Sequence, residues 1–129
     1  MPPLPRKATI LVVEDDDELR TFYRIAMSMA GYAVVAVEDG LGALRHIETD
    51  PPDGILLDLT LPRLGGRDLQ KEIAARAETR DIPIVVITAT PDQAPGDVTC
   101  VLQKPITLED LLDTVRRCFP PPAGFSMFH

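Results

Sequence analysis

The chain lacks both a membrane-spanning run and a leader for export. No apolar run in the sequence approaches the roughly 18 residues of a membrane-spanning helix. The N-terminal stretch MPPLPRKATILVVEDD carries two cations, but its apolar run is short and ends in acids. A signal peptide requires a longer apolar stretch and a small-residue cleavage site. We therefore expect a cytoplasmic protein with no membrane partner.

Cysteine and histidine are also scarce. Only Cys100 and Cys118 occur, they form no C-x-x-C pair, and no histidine lies near them at metal-ligand spacing. We expect both to be small buried or half-buried residues that stay reduced.

Positive charge is in deficit. Thirteen Lys and Arg stand against twenty Asp and Glu, giving a net charge of −7 and a pI near 4.7. Such a chain has no bulk attraction for nucleic acid or anionic membranes. Its 129 residues, 45% of them hydrophobic, suit one globular domain.

What the sequence does contain is a repeated alternation of strand and helix patterns. Short runs rich in Val and Ile indicate buried strands: residues 9–13, 33–37, 54–59, 82–88 and, more weakly, 99–103. Segments with helical spacing of apolar residues follow the first, second, third and fifth runs. This alternation predicts an α/β fold, a doubly wound parallel sheet of five strands with helices on both faces.

Several residues mark the ends of these elements. Asp16 and Thr107 are expected N-caps, and Gly31 is placed for a left-handed helix end. The proline-rich ends, 1–6 and 120–129, are expected to be loose tails around a domain spanning 7–119.

One crossover is too short for a normal helix. Residues 89–98, ATPDQAPGDV, must connect the fourth strand to the fifth, and they include two prolines and a glycine. A parallel crossover usually needs a dozen or more residues. We expect a loop or a very short helix there.

Residues that can bind a cation or a phosphoryl group lie at the carboxyl ends of the predicted strands. This is the edge of the sheet where ligands of doubly wound sheets bind. These residues are Glu14, Asp15, Asp58, Thr88 and Lys104. Clustered carboxylates repel one another unless a hard divalent cation such as Mg²⁺ joins them. A lysine and a hydroxyl nearby suit a phosphoryl group, and a carboxylate is the simplest nucleophile available, giving an aspartyl phosphate.

Four segments in order, ILVVEDD, ILLDLTLPRLGG, IVVITA and LQKPI, resemble a bacterial response-regulator receiver domain over nearly the whole chain. The resemblance implies a flavodoxin-like fold with strand order 2-1-3-4-5. It also implies two-component signalling in which a sensor histidine kinase or phosphotransfer protein phosphorylates Asp58, changing contacts with a downstream protein. Such a domain is not an enzyme beyond its own phosphorylation and dephosphorylation.

The resemblance assigns a role to each site residue. Asp15, Asp58 and the backbone carbonyl of Thr60 would bind Mg²⁺ or Mn²⁺, and Glu14 would act through metal-bound water. Thr88 would bond the phosphoryl group and Lys104 would neutralise it. The Lys104–Pro105 bond is expected to be cis.

The side chains of Thr60 and Thr90 would flank the phosphoryl group and tune its hydrolysis, and Ala89 would leave room beside it. Many family members carry Tyr or Phe where this chain has Val101, so the aromatic readout cannot operate here. We hypothesise that phosphate instead orders or moves the 89–98 loop.

Two other classes of protein share part of this pattern. A phosphatase of the haloacid-dehalogenase type needs a second Asp two positions after the nucleophile, where this chain has Thr60. A pseudo-receiver would be an interaction module that is never phosphorylated. No DNA-binding module is expected after Phe119, so either a stand-alone receiver or a piece of a longer signalling chain fits.

Overall fold

The computed structural model describes residues 6–59, 66–76, 78–94 and 98–122. The strands are β1 (Thr9–Val13), β2 (Ala33–Val37), β3 (Gly54–Asp58), β4 (Ile84–Thr88) and β5 (Cys100–Gln103). The helices are α1 (Asp17–Met29), α2 (Gly40–Thr49), α3 (Gly66–Ala75) and α4 (Leu108–Cys118). Each predicted strand is present, and the last three are shorter than predicted by one or two residues at an end.

The strands form one parallel sheet in the order β2-β1-β3-β4-β5. β3 and β4 are buried at every residue, as expected for central strands covered on both faces. One face packs against α1 and α4, and the other packs against α2 and α3. The predicted fold class and strand order are confirmed.

The helix ends follow the local sequence. Asp16 Oδ1 accepts a hydrogen bond from the Leu19 N–H at 2.8 Å, and Thr107 Oγ1 accepts one from the Asp110 N–H at 3.0 Å. Gly31, just after α1, has φ +101°, a conformation that glycine adopts without steric cost. All three predicted end signals are confirmed.

The crossover after β4 contains no α-helix among its described residues. It makes one short 3-10 turn, Pro91–Gln93, and residues 95–97 lie outside the described part. The predicted loop or very short helix is therefore confirmed. Without a helix over it, β5 is mostly uncovered on that side, and Val101 is 38% exposed.

The expectation that both cysteines stay as thiols is wrong for this structure, in which Cys100 and Cys118 form a disulfide. Sequence spacing gave no sign of it, because the pair is separated by 18 residues. The packing of α4 against the start of β5 brings their Cα atoms to 6.5 Å, within the range that a disulfide spans.

The looseness expected of the chain ends does not extend to the first residues after α4. Phe119 is buried beneath Gly54, whose Cβ, if present, would lie 2.7 Å from the Phe119 ring. The Tyr32 hydroxyl donates to the Pro120 carbonyl at 2.7 Å, and the Ala8 N–H donates to the Pro122 carbonyl at 2.6 Å. Residues 119–122 thus close the end of the sheet opposite the strand carboxyl ends. Residues 1–5 and 123–129 lie outside the described residues.

Candidate functional site

Four strands bring the predicted side chains to one edge of the sheet. Asp58 and Thr88 are the last residues of β3 and β4, and both are buried. Glu14 follows β1 and Lys104 follows β5. Because parallel strands end at a common edge, residues far apart in sequence meet here.

An ion pair joins Lys104 to Asp58. Lys104 Nζ lies 2.8 Å from Asp58 Oδ2, and the Asp58 side chain is only 1% exposed. The Lys104 backbone N–H donates to the Thr88 carbonyl at 2.8 Å, which fixes the lysine to the end of β4. The Lys104–Pro105 peptide is cis, as the resemblance implied. A buried carboxylate at a strand end is thus stabilised by a specific cation.

Glu14 is the second buried carboxyl group of the site. Oε2 accepts a hydrogen bond from the Asp16 N–H at 3.2 Å, whereas Oε1 is buried and receives no hydrogen bond. Burial, then hydrogen bonding with Asp58 and Asp15 and the charge of Asp58, raises the pKa of Glu14 to about 8. Glu14 therefore keeps a proton at neutral pH when no cation is bound.

The loop between β1 and α1 positions the remaining acids. Asp15 is exposed, and Asp16 serves as the N-cap of α1. Arg20, one turn into the helix, donates to the Glu14 carbonyl at 3.1 Å and pairs with Asp17. Sequence reasoning did not identify Arg20, whose contact is to a backbone carbonyl and depends on how the loop folds.

Two threonines at the carboxyl end of β4, Thr88 in the strand and Thr90 after it, are hydrogen-bonded to each other. The Thr88 hydroxyl accepts the Thr90 backbone N–H at 3.1 Å and lies 3.3 Å from the Thr90 hydroxyl. Ala89 and Thr90 are exposed, whereas Thr88 is 2% exposed. Thr88 therefore closes the floor of the site and Thr90 lies at its rim.

Tyr23 is a residue of the site that sequence reasoning placed only in the helix packing face. It is buried under the acidic cluster, and burial, then the charges of Glu14, Asp58 and Asp16, raises the pKa of its phenol. Tyr23 thus stays neutral near these carboxyl groups. Its helical spacing predicted burial but carried no sign of these neighbours.

The expected metal ligands are only partly assembled. Asp58 and Asp15 both contribute to the raised pKa of Glu14, so the three carboxyl groups interact. Within the described residues, no three His, Cys, Asp or Glu side chains form a cluster that could hold a metal ion. Asp58 Oδ2 is engaged by Lys104, and Thr60 lies outside the described residues. The donor chemistry fits Mg²⁺, since Glu14 Oε1 is a buried oxygen with no hydrogen-bond donor.

Comparison with known proteins identifies the family. The model of the response regulator receiver domain matches residues 10–116. The chain belongs to the response regulator receiver family. The resemblance noted in the sequence is confirmed, and the receiver is a signalling module of two-component systems.

Curated relatives are response regulators. The chain is 36% identical to response regulator MprA of Mycobacterium bovis BCG, over 92% of this chain and 55% of that protein. It is 37% identical to MprA of Mycobacterium ulcerans, over 83% of this chain and 48% of that protein. The receiver therefore spans about half the length of these relatives.

Solved structures of receiver proteins have a similar fold. The receiver domain of the sensor histidine kinase PA1611 from Pseudomonas aeruginosa PAO1, described with magnesium coordinated in its active-site cleft, is 32% identical, with a TM-score of 0.78 over 88% of this chain and 98% of that one. The chemotaxis response regulator CheY4 of Vibrio cholerae is 27% identical, with a TM-score of 0.78 over 87% and 98% of the two chains. No helix in the described part of the receiver is long and apolar enough to span a bilayer.

Proposed function

We propose that the receiver accepts a phosphoryl group on Asp58 from a phosphohistidine of a sensor histidine kinase or phosphotransfer protein. The observation that carries this proposal is the buried Asp58 carboxylate with Lys104 Nζ 2.8 Å from its Oδ2. A carboxylate buried at a strand carboxyl end, paired with a lysine and flanked by a second carboxyl group, suits a nucleophile better than a structural residue.

The chemistry is a transfer between two nucleophiles. An Asp58 oxygen attacks phosphorus, the phosphorus–nitrogen bond of the phosphoimidazole breaks, and the imidazole leaves with the bonding electron pair and takes up a proton. Lys104 would neutralise charge on the transferred group, and Thr88 would donate a hydrogen bond to it. The products are the aspartyl phosphate and a neutral histidine.

The residues that would hold the cation are Asp15 and Asp58 directly, the Thr60 carbonyl, and Glu14 through water. Mg²⁺ or Mn²⁺, when bound, would offset the charge that gathers on the phosphoryl oxygens. The unbonded Oε1 of Glu14 and its raised pKa support this assignment, because both indicate a carboxyl group without a compensating charge.

We further infer that the receiver acts in the cytoplasm and that phosphorylation changes its contacts with a downstream protein. The net charge of −7 favours a protein over a nucleic acid as that partner. The phosphatase alternative has no support in a receiver that carries Thr60 where the second Asp would be needed.

The decisive experiment is incubation with acetyl phosphate and Mg²⁺, followed by intact-mass measurement. We expect one phosphoryl adduct on the native chain, none on Asp58→Asn, and an unchanged adduct on the control Asp113→Asn, an exposed aspartate of α4. No adduct on the native chain, from acetyl phosphate or from a phosphorylated kinase, would instead favour the pseudo-receiver.

A further inference from the structure

The disulfide lies at the opposite end of β5 from the phosphoacceptor site. Cys100 is the first residue of β5, and Cys118 is the last residue of α4. Cys100 pairs in register with Val85, whereas Gln103, at the other end of the strand, pairs with Thr88. Both cysteines are half-buried, so small thiols in solution can reach them.

β5 is a lightly held strand at the edge of the sheet. It is an edge strand of four residues, and only Leu102 is buried. Beyond its ladder with β4, backbone and side-chain hydrogen bonds join Thr99 to Ile84 at 2.9 and 3.0 Å. The crossover that leads to it forms no α-helix in its described residues. The bond from Cys100 to α4 is therefore a covalent attachment for a strand that has few other contacts.

The same strand carries the lysine of the site. Lys104 follows β5 directly and reaches Asp58 at 2.8 Å. A shift or detachment of β5 moves Lys104 away from the carboxylate and from the Thr88 carbonyl, to which its backbone N–H donates. The covalent attachment of β5 at Cys100 and the charge on Asp58 are thus linked through one short strand.

We propose that Cys100 and Cys118 form a reversible redox couple that sets how firmly β5 holds Lys104 at Asp58, and so how readily Asp58 is phosphorylated. This inference rests on the proposed function of Asp58. In the proposed cytoplasmic location, disulfides are usually transient and regulatory rather than permanent.

The redox step is a thiol–disulfide exchange. On oxidation, the two cysteine thiols lose two electrons and two protons as their S–S bond forms, and a low-molecular-weight disulfide accepts them and leaves as two thiols. On reduction, a dithiol breaks the S–S bond of Cys100 and Cys118 and becomes a cyclic disulfide. Each direction passes through a mixed disulfide on one of the two half-buried sulfurs.

The test compares the oxidised and the dithiol-reduced native chain, after mass measurement of alkylated thiols confirms each state. Amide exchange of residues 101–104 should be at least about tenfold faster in the reduced chain. The disulfide joins cysteines 18 positions apart, and closing that loop disfavours conformations in which β5 has left the sheet. Phosphorylation by acetyl phosphate with Mg²⁺ should be slower by severalfold or more in the reduced chain. The Cys100→Ser/Cys118→Ser variant should show the amide exchange and the phosphorylation rate of the reduced chain. Oxidising or reducing conditions should change neither quantity in this variant.

Each outcome separates this inference from the proposed function. Equal exchange of β5 and equal phosphorylation in both states would overturn the inference and leave the function standing. A disulfide that glutathione buffers neither form nor break in the folded chain would overturn its reversibility. If neither state takes up phosphate, the proposed function fails, and the exchange of β5 alone then decides whether the disulfide fixes the strand.

Discussion

The substitution Glu14→Gln should make the receiver more stable than the native chain at alkaline pH. It should also remove the part of the pH dependence of stability that comes from the Glu14 carboxyl group. Glu14 is 1% exposed, and burial together with Asp58 and Asp15 raises the pKa of its carboxyl group from 4.5 to about 8. The unfolded chain therefore releases this proton near pH 4.5, whereas the folded chain keeps it until about pH 8. Glutamine has nearly the same shape and no proton to lose.

The sign and size follow from proton linkage. Because the folded state binds the extra proton, the stability that Glu14 contributes is complete below pH 4.5 and is lost as pH rises through about 8. The slope is about 1.4 kcal/mol per pH unit between those values. Between pH 5 and pH 8 the free energy of unfolding of the native chain should fall by about 3 kcal/mol from this group alone.

The assay is urea unfolding of the disulfide-bonded chain, in the absence of divalent cations, at several pH values from 5 to 8. The difference in unfolding free energy between native chain and variant should change by about 3 kcal/mol across this range, in favour of the variant at high pH. Glu18→Gln is the matched control, since Glu18 is an exposed glutamate in the first turn of α1. Its profile should run parallel to that of the native chain, and a parallel profile for Glu14→Gln would refute the reasoning.

Three other predictions concern Lys104, the contact of Gly54 with Phe119, and the crossover after β4. Lys104→Met should lower the unfolding free energy at pH 7 by about 2 kcal/mol, because the buried Asp58 loses its cation. The loss is limited to this size because the Lys104 side chain is partly exposed. Unchanged urea unfolding would contradict this prediction. Gly54→Ala should cost about 1–3 kcal/mol in the same assay, because its Cβ would overlap the Phe119 ring, and a neutral result would mean that the ring shifts freely. A phosphoryl analogue with Mg²⁺ should slow amide exchange in the described residues of the 89–98 loop by about threefold or more; no change there would reject the loop as the route of the signal.

Much of the fold followed from local patterns. The strands β3 and β4 were recognisable because central parallel strands are apolar at every position, and their sequences have no competing helical period. The caps at Asp16 and Thr107 were also predictable, because capping depends on residues within one turn of each other. Strand ends were less certain, since pairing with a neighbour decides where a ladder stops.

The site was predictable in its members but not in its protonation. That Lys104 meets Asp58 follows from parallel strands ending together. That Glu14 holds a proton depends on how deeply the fold buries its carboxyl group beside Asp58 and Asp15, which no spacing in the sequence reveals. The disulfide was missed for a related reason: whether Cys100 and Cys118 meet depends on how α4 docks on the start of β5.

The short crossover explains why the exposed Val101 and the disulfide occur together beside β5. A strand of four or five residues is about 13–17 Å long, and the segment 89–99 can extend beyond about 30 Å, so a return to the start of β5 needs no helix. The described residues of the crossover form no α-helix over this face, and Val101, at the position where many family members carry an aromatic residue, is 38% exposed. With neither an α-helix among the described residues of the crossover nor an aromatic side chain at Val101, two routes lead away from Thr88: the 89–98 loop and, through Lys104, β5. The disulfide is attached to the second of these two routes, which makes the redox state of Cys100 and Cys118 a direct control on it.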